Sequence, residues 1–276
     1  MTTKLAAEDA PPHATPPTTR STTRTAAGRL RALGRAELTL LLRNRAALFT
    51  ALVVPLSLTV AVKSTVDGMD LSGTGLTVGT VMLPGALGFV LLFAVYSNLV
   101  GTYAARREEL VLKRLRTGEL RDTEILLGAA LPSLVIALVQ CVLVAVSGAL
   151  MLDLSAPEQS GLFLLGLLLG LALMVAAAAA TVVLTRSAEA AALTPMPLMM
   201  VSFLLSGVFV PLEVLPDKVA TAAAWLPMSP VMELLRGGWT GALDAGEALR
   251  ALVLAASWVG VSVWAVRKWF RWEPRR

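Results

Sequence analysis

The chain has 276 residues, a formal net charge of +5 and an isoelectric point near 9.9. Hydrophobic residues make up 56% of it and charged residues only 16%, against about 45–50% and about 25% in soluble domains. A membrane domain therefore takes most of the length, no second soluble domain of ordinary size fits beside it, and the basic balance is assigned to membrane topology rather than to nucleic acid.

The first 27 residues are rich in Thr, Pro and Ala and hold few large apolar groups, so they are predicted to be a disordered cytoplasmic tail. No early apolar run marks a secretory signal peptide. Residues 28–45 place Leu30, Leu33, Ala36, Leu40 and Leu41 on one side of a helix. Two readings stand on this pattern: a basic flank of the first span, or an interfacial helix with its apolar side in the lipid boundary.

Six runs have the roughly 17–25 apolar residues that a transmembrane helix needs. They are 46–62, 80–103, 125–151, 161–185, 191–210 and 249–266. The first is short and carries Pro55; the fifth opens on Pro195 and Pro197, which predicts a kink or a broken start. Gly166-x-x-x-Gly170, with Ala176–Ala180 after it, suits close helix packing within the chain more than a dimer face. Cys141, the single cysteine, lies inside the third run, and His13, the single histidine, lies in the tail. A disulfide framework is thereby excluded, and no membrane histidine serves metal ligation or base catalysis.

Lys and Arg concentrate in cytoplasmic segments. With the N-terminus inside, all but four of the 24 basic residues fall there; the exceptions are Lys63, Lys218, Arg236 and Arg250. Both termini are then cytoplasmic, the plasma (inner) membrane is the predicted location, and residues 273–276 form a short basic tail. Trp264, Trp269 and Trp272 suit an aromatic belt at the last inner boundary.

Two connecting segments stand out. Between spans two and three, Val111, Leu112 and Leu115 lie close at helical spacing, and Glu109 and Lys113 have the order of a favourable i, i+4 pair. A solvated linker and a helix docking into a partner's groove both fit that pattern. After span five, residues 206–246 are long yet apolar, and Pro211, Pro216, Pro227 and Pro230 punctuate them. Two short re-entrant or surface helices are predicted, carrying Glu213, Glu233 and Arg236; an amphipathic outer loop is the alternative. Charge inside the spans is scarce, with Glu124 and Arg186 at inner ends and Arg250 at an outer end. The chain holds no phosphate loop, no H-E-x-x-H and no G-x-S-x-G, so energy for active transport would come from a partner.

The order of these features resembles the membrane subunit of an ABC-2 type ABC transporter, the permease class of drug, lipid and polysaccharide exporters. ELTLLLRNRAALFTALVVPLSL (37–58) looks like the family's interfacial helix entering span one. REELVLKRLRTGELRDTEILLG (107–128) looks like its stretch between spans two and three, and SGVFVPLEVLPDKVATAAAWLPMSPVMELLRG (206–237) like its outer segment after span five. Glu109-Leu110-Val111 departs from the Arg-Gly-Thr frequent in the family after the glutamate, and Thr117-Gly118 from its common Thr-Pro pair.

The resemblance implies an all-α membrane protein: six transmembrane helices, an N-terminal interfacial helix, a cytoplasmic coupling helix and short extracellular helices between spans five and six, in a single domain over 28–272. It implies a homodimer of permeases in membrane lipid, each chain engaging a separate ABC ATPase. That ATPase would bind ATP and magnesium, and no cofactor is expected in this chain. Coupling would run through Arg107, Glu108, Glu109, Val111, Leu112, Lys113, Arg114, Leu115 and Arg116, with Thr185–Ala190 as a lesser contact. The implied function is export of a hydrophobic or amphiphilic drug, lipid or glycan. The alternatives are an ion-coupled secondary transporter or channel, which usually needs ionisable groups inside the bundle, and a membrane-embedded enzyme, which would need a nucleophile with a base or a metal site.

Overall fold

The computed structural model describes residues 78–118, 120–151, 156–209, 212 and 215–273, with single helical positions between 28 and 57. The predicted N-terminal tail, interfacial helix and first span therefore fall almost wholly outside the described residues. All regular structure among the described residues is helical.

Helix α1 (Val78–Val90) runs directly into a π-helical stretch (Leu91–Ser97) and then α2 (Asn98–Glu108). A short helix α3 (Val111–Arg116) follows, then α4 (Asp122–Met151) and α5 (Ser160–Val182). Asp122 and Glu124 occupy the first turn of α4, where negative charge suits the positive end of the helix dipole. Helix α6 (Met196–Leu205) follows a 3₁₀ turn at Ala190–Ala192. Helices α7 (Asp217–Ala223), α8 (Ser229–Thr240) and α9 (Ala245–Trp269) complete the order. The start of α9 is fixed by a capping box: Asp244 Oδ1 accepts from the Glu247 amide at 2.8 Å, and Glu247 Oε2 accepts from the Asp244 amide at 3.3 Å.

Among the described residues, four helices are long and apolar enough to cross a bilayer: Met82–Glu108, Asp122–Leu150, Ser160–Val182 and Ala245–Trp269. Each contains or nearly contains one predicted span. The fifth predicted span is divided. Pro195 caps α6 and Pro197 sits in its first turn, so the helix begins only at Met196, and it ends after ten residues at Leu205. Both prolines lack an amide donor, which the interior of a helix needs and its first turn does not.

Helix α5 lies at the centre. The buried core gathers around its Leu167, Leu171, Leu173, Met174 and Ala178, with Leu91, Leu92 and Val95 from the π stretch and Val231, Leu234 and Leu235 from α8. Glycines set how near these elements come. A Cβ on Gly166 would sit 2.8 Å from Leu234 Cβ; one on Gly170 would sit 2.8 Å from both Leu91 Cδ1 and Val231 Cγ1. On the facing helix, a Cβ on Gly238 would meet the backbone of Phe163. The Gly166-x-x-x-Gly170 face is thus spent inside the chain, against α8 and the π stretch. Interhelical hydrogen bonds add to the packing. Tyr96 and Thr181 hydroxyls meet at 3.0 Å, and Asn98 Nδ2 donates to Ser133 Oγ at 3.1 Å.

Gly166→Leu should lower the melting temperature of the detergent-solubilised protein, because overpacking costs about 1–3 kcal/mol. Gly101→Ala is the control: beyond its own helix backbone and chain neighbours nothing lies within 4 Å of a Cβ there, and a melting temperature that does not fall is expected, since Ala is the better helix former.

Candidate functional site

The described structure gathers α3, the turn after α5 and the segment after α9 at one end of the bundle. Helix α2 ends at Glu108, and Leu110 takes a left-handed conformation (φ 58°) that redirects the chain into α3. For a residue with a Cβ this costs about 1–2 kcal/mol. It also separates Glu109 from the helix of Lys113, so the predicted i, i+4 pair does not share one helix. Lys113 Nζ instead lies 2.8 Å from Glu273 Oε1 beyond α9.

Arg107 is the largest fully buried side chain, at 1% exposure. Its Nη1 donates to the Val182 carbonyl at 2.8 Å and its Nη2 to the Thr185 carbonyl at 2.6 Å. The first of these carbonyls is the last of α5 and also accepts from the Thr185 amide at 3.2 Å; the second lies three residues further on, in the turn that follows. A cation there also suits the negative end of the dipole. The next residue completes the tie: Glu108 Oε1 accepts from the Ala188 amide at 2.8 Å. Arg107 and Glu108 thus join the two inner segments singled out from sequence, the 106–121 loop and the 185–190 turn.

The apolar side of α3 turns inward. Leu112 is fully buried, and Val111 and Leu115 are half-buried. The exposed side of α3 is charged, with Lys113, Arg114 and Arg116, and Glu108 and Glu109 just before it are exposed as well. Arg116 makes a 3.1 Å ion pair with Asp122 and lies 5.0 Å from the Trp272 ring centroid. Of the two readings of this segment, a helix docking by its apolar ridge would need Leu112 outward, and Leu112 is instead buried within the chain; sequence reasoning also missed the roles of Val182, Trp272 and Glu273. No local signal links Arg107 to a carbonyl so far along the chain; an Arg at the end of an apolar run reads only as a boundary charge.

At the opposite end, the two predicted short helices are present as α7 and α8. Pro216 caps α7, Pro227 lies in the turn after it, and Pro230 sits in the first turn of α8. Pro211 and Glu213 lie outside the described residues. Helix α8 is no surface loop, since Met232, Leu234, Leu235 and Trp239 are buried. Glu233 Oε1 pairs with Arg250 Nη2 at 2.7 Å, and Arg236 Nη2 donates to the Gly207 carbonyl at 2.9 Å. These groups line a polar cavity of about 280 Å³. On the neighbouring apolar face, Phe89, Phe93, Phe203 and Phe209 form an aromatic cluster joining α1, the π stretch and α6, with stacked centroids 4.3 Å apart for Phe89 and Phe93. Phe93 and Phe209 are exposed.

The family described as "ABC-2 type transporter" matches residues 28–239, well over half of the chain. The chain belongs to this family; it is an ABC transporter permease, a multi-pass membrane protein whose family implies an ABC ATPase as partner. No curated protein matches it.

Arg107→Met should remove the charged donors from the Val182 and Thr185 carbonyls, at about 1.5–3 kcal/mol per lost charged hydrogen bond. Amides of residues 183–190 should then exchange hydrogen at least about tenfold faster by mass spectrometry. Exchange unchanged in that turn would show that the side chain does not restrain it.

Proposed function

We propose that this ABC-2 permease is the membrane half of an ATP-driven exporter. Its ATPase partner would push on the end of the bundle formed by α3 and the 185–190 turn. The observation that carries this reading is the Arg107–Glu108 tie: a force on either inner segment reaches the end of α5 and the turn after it through hydrogen bonds at 2.6–2.8 Å, the two from Arg107 being buried. From α5 it passes to α8 and α9, which pack directly on that helix.

The proposed topology has six spans. Four are the long apolar helices; a fifth is the 190–205 segment with its continuation, and the first lies in residues 46–62. Both termini are cytoplasmic in this reading. It is supported by the segregation of Arg106, Arg107, Arg114, Arg116, Arg186 and Arg267 to the end that carries α3, with Arg236 and Arg250 at the other. Helix α9 has only 11% of its apolar window buried, so its outer surface calls for lipid or for a second permease chain. We assign the cargo to hydrophobic or amphiphilic compounds. The exposed aromatic cluster of Phe93 and Phe209 beside a polar cavity lined by Glu233 and Arg250 suits molecules with both characters.

The exposed face of α3, rather than its buried leucine, is the surface a motor would touch. Glu109, Lys113, Arg114 and Arg116 are its charged contacts, and Arg107, Glu108, Val111, Leu112 and Leu115 hold it in place.

The test is co-expression with a candidate ABC ATPase, co-purification, and ATP-dependent uptake by inverted vesicles. Association and ATP-dependent uptake are expected. Transport that survives ATP depletion but stops when the ion gradient collapses would sink the exporter reading in favour of an ion-coupled carrier. Arg114→Glu should weaken ATP-coupled uptake by about 5–150-fold, the usual range of coupling free energies, with membrane insertion intact. Leu112→Asp should instead reduce the amount of folded permease, because it buries a carboxylate without a partner.

A further inference from the structure

A second cavity lies away from both segments described above, in a groove between α4, α5 and α9 of about 550 Å³. That is within the roughly 300–1,000 Å³ of ligand pockets. Its floor is Ala172, Ala176 and Ala179 on one face of α5, whose small side chains leave the channel open. Its walls are Leu134 and Leu138 of α4 and Val259 of α9.

The groove has one polar end. Along α4 it runs from Thr123 to Leu138, about 22 Å at 1.5 Å rise per residue. One leaflet's share of the hydrocarbon core is about 15 Å. Followed along α4, the groove therefore starts at a membrane boundary and passes the midplane by about 7 Å. At that boundary stand Thr123 and Arg267, both exposed. No carboxylate lies within ion-pair distance of Arg267 among the described residues. Beside it, Lys268 Nζ sits 5.1 Å from the Trp264 ring centroid and 5.3 Å from that of Trp269. Tryptophans with adjacent cations mark the headgroup level of a bilayer.

We infer that this groove holds a resident phospholipid, with one acyl chain between α4, α5 and α9 and its phosphate on Arg267. The single polar end selects a chain that enters from one leaflet. The Arg267 guanidinium at that mouth selects an anionic head. The inference rests on the proposed crossing of the membrane by these three helices. Its assay uses the purified permease in detergent, so its outcome is independent of ATP-driven transport.

Native mass spectrometry would compare retention of phosphatidylglycerol, with palmitoyl and oleoyl chains, against diacylglycerol with the same chains. Wild type should retain one phosphatidylglycerol per chain in preference to diacylglycerol. Arg267→Gln should reduce that preference by about tenfold, equivalent to about 1.4 kcal/mol, and Lys268→Gln should leave it unchanged. Ala172→Phe, filling the floor, should lose both lipids while keeping the wild-type helical circular dichroism. A photo-crosslinking amino acid at Leu138 provides a measurement that does not depend on Ala172→Phe folding: an adduct of lipid mass is expected. Equal retention of both lipids by wild type, Arg267→Gln and a folded Ala172→Phe would overturn the proposal. So would a peptide adduct at position 138, from this chain's own first span or from a second copy.

Discussion

The close approach of α8 to α5 is the contact on which the described fold depends. Helix α8 is too short to cross a bilayer, yet it is packed along a helix that is long enough to do so. Gly166 and Gly170 on one side and Gly238 on the other remove the side chains that would hold the two apart. Without a hydrophobic force between helices in lipid, such contact relies on dispersion at short range and on satisfied backbone groups. The amide of Gln159 donates to the Gly238 carbonyl at 3.0 Å, and that of Glu158 to the Trp239 carbonyl at 3.2 Å. The edge-on ring pair of Phe163 and Trp239, with centroids 5.4 Å apart, adds to the same junction.

Long apolar runs were legible because a bilayer imposes one length scale on every helix that crosses it. The sequence-based bounds of spans two, three, four and six differ from the four long helices by at most a few residues at each end. The division at Pro195 and Pro197 was legible for the same elementary reason, a missing donor. The interior of the 206–246 segment was readable as two short helices from its prolines. That α8 lies buried along α5 was not, because the burial follows from glycines far upstream.

The candidate site divides along similar lines. The amphipathic character of residues 111–116 could be read locally, but not the direction in which the apolar side points. That direction is set by Leu110, whose left-handed backbone has no signature in a leucine side chain, and by the covering residues at the end of α9. Arg107 shows the same limit more sharply. Burying a guanidinium is costly unless its donors are used. Here two of them meet the carbonyls of Val182 and Thr185, so one side chain uses its own donors and fixes the turn after α5. Sequence distance hides such reciprocity.

The contacts of α3 with Trp272 and Glu273 also carry a consequence for the order of synthesis. A chain is made from its N-terminal side onward. Helix α3 emerges well before the residues after α9 that pair with it, so Lys113 and Arg116 lack those partners until Trp272 and Glu273 have been made. The charged side of α3 therefore changes its electrostatic state late in synthesis: a chain cut before Trp272 would present it differently from one that carries both partners.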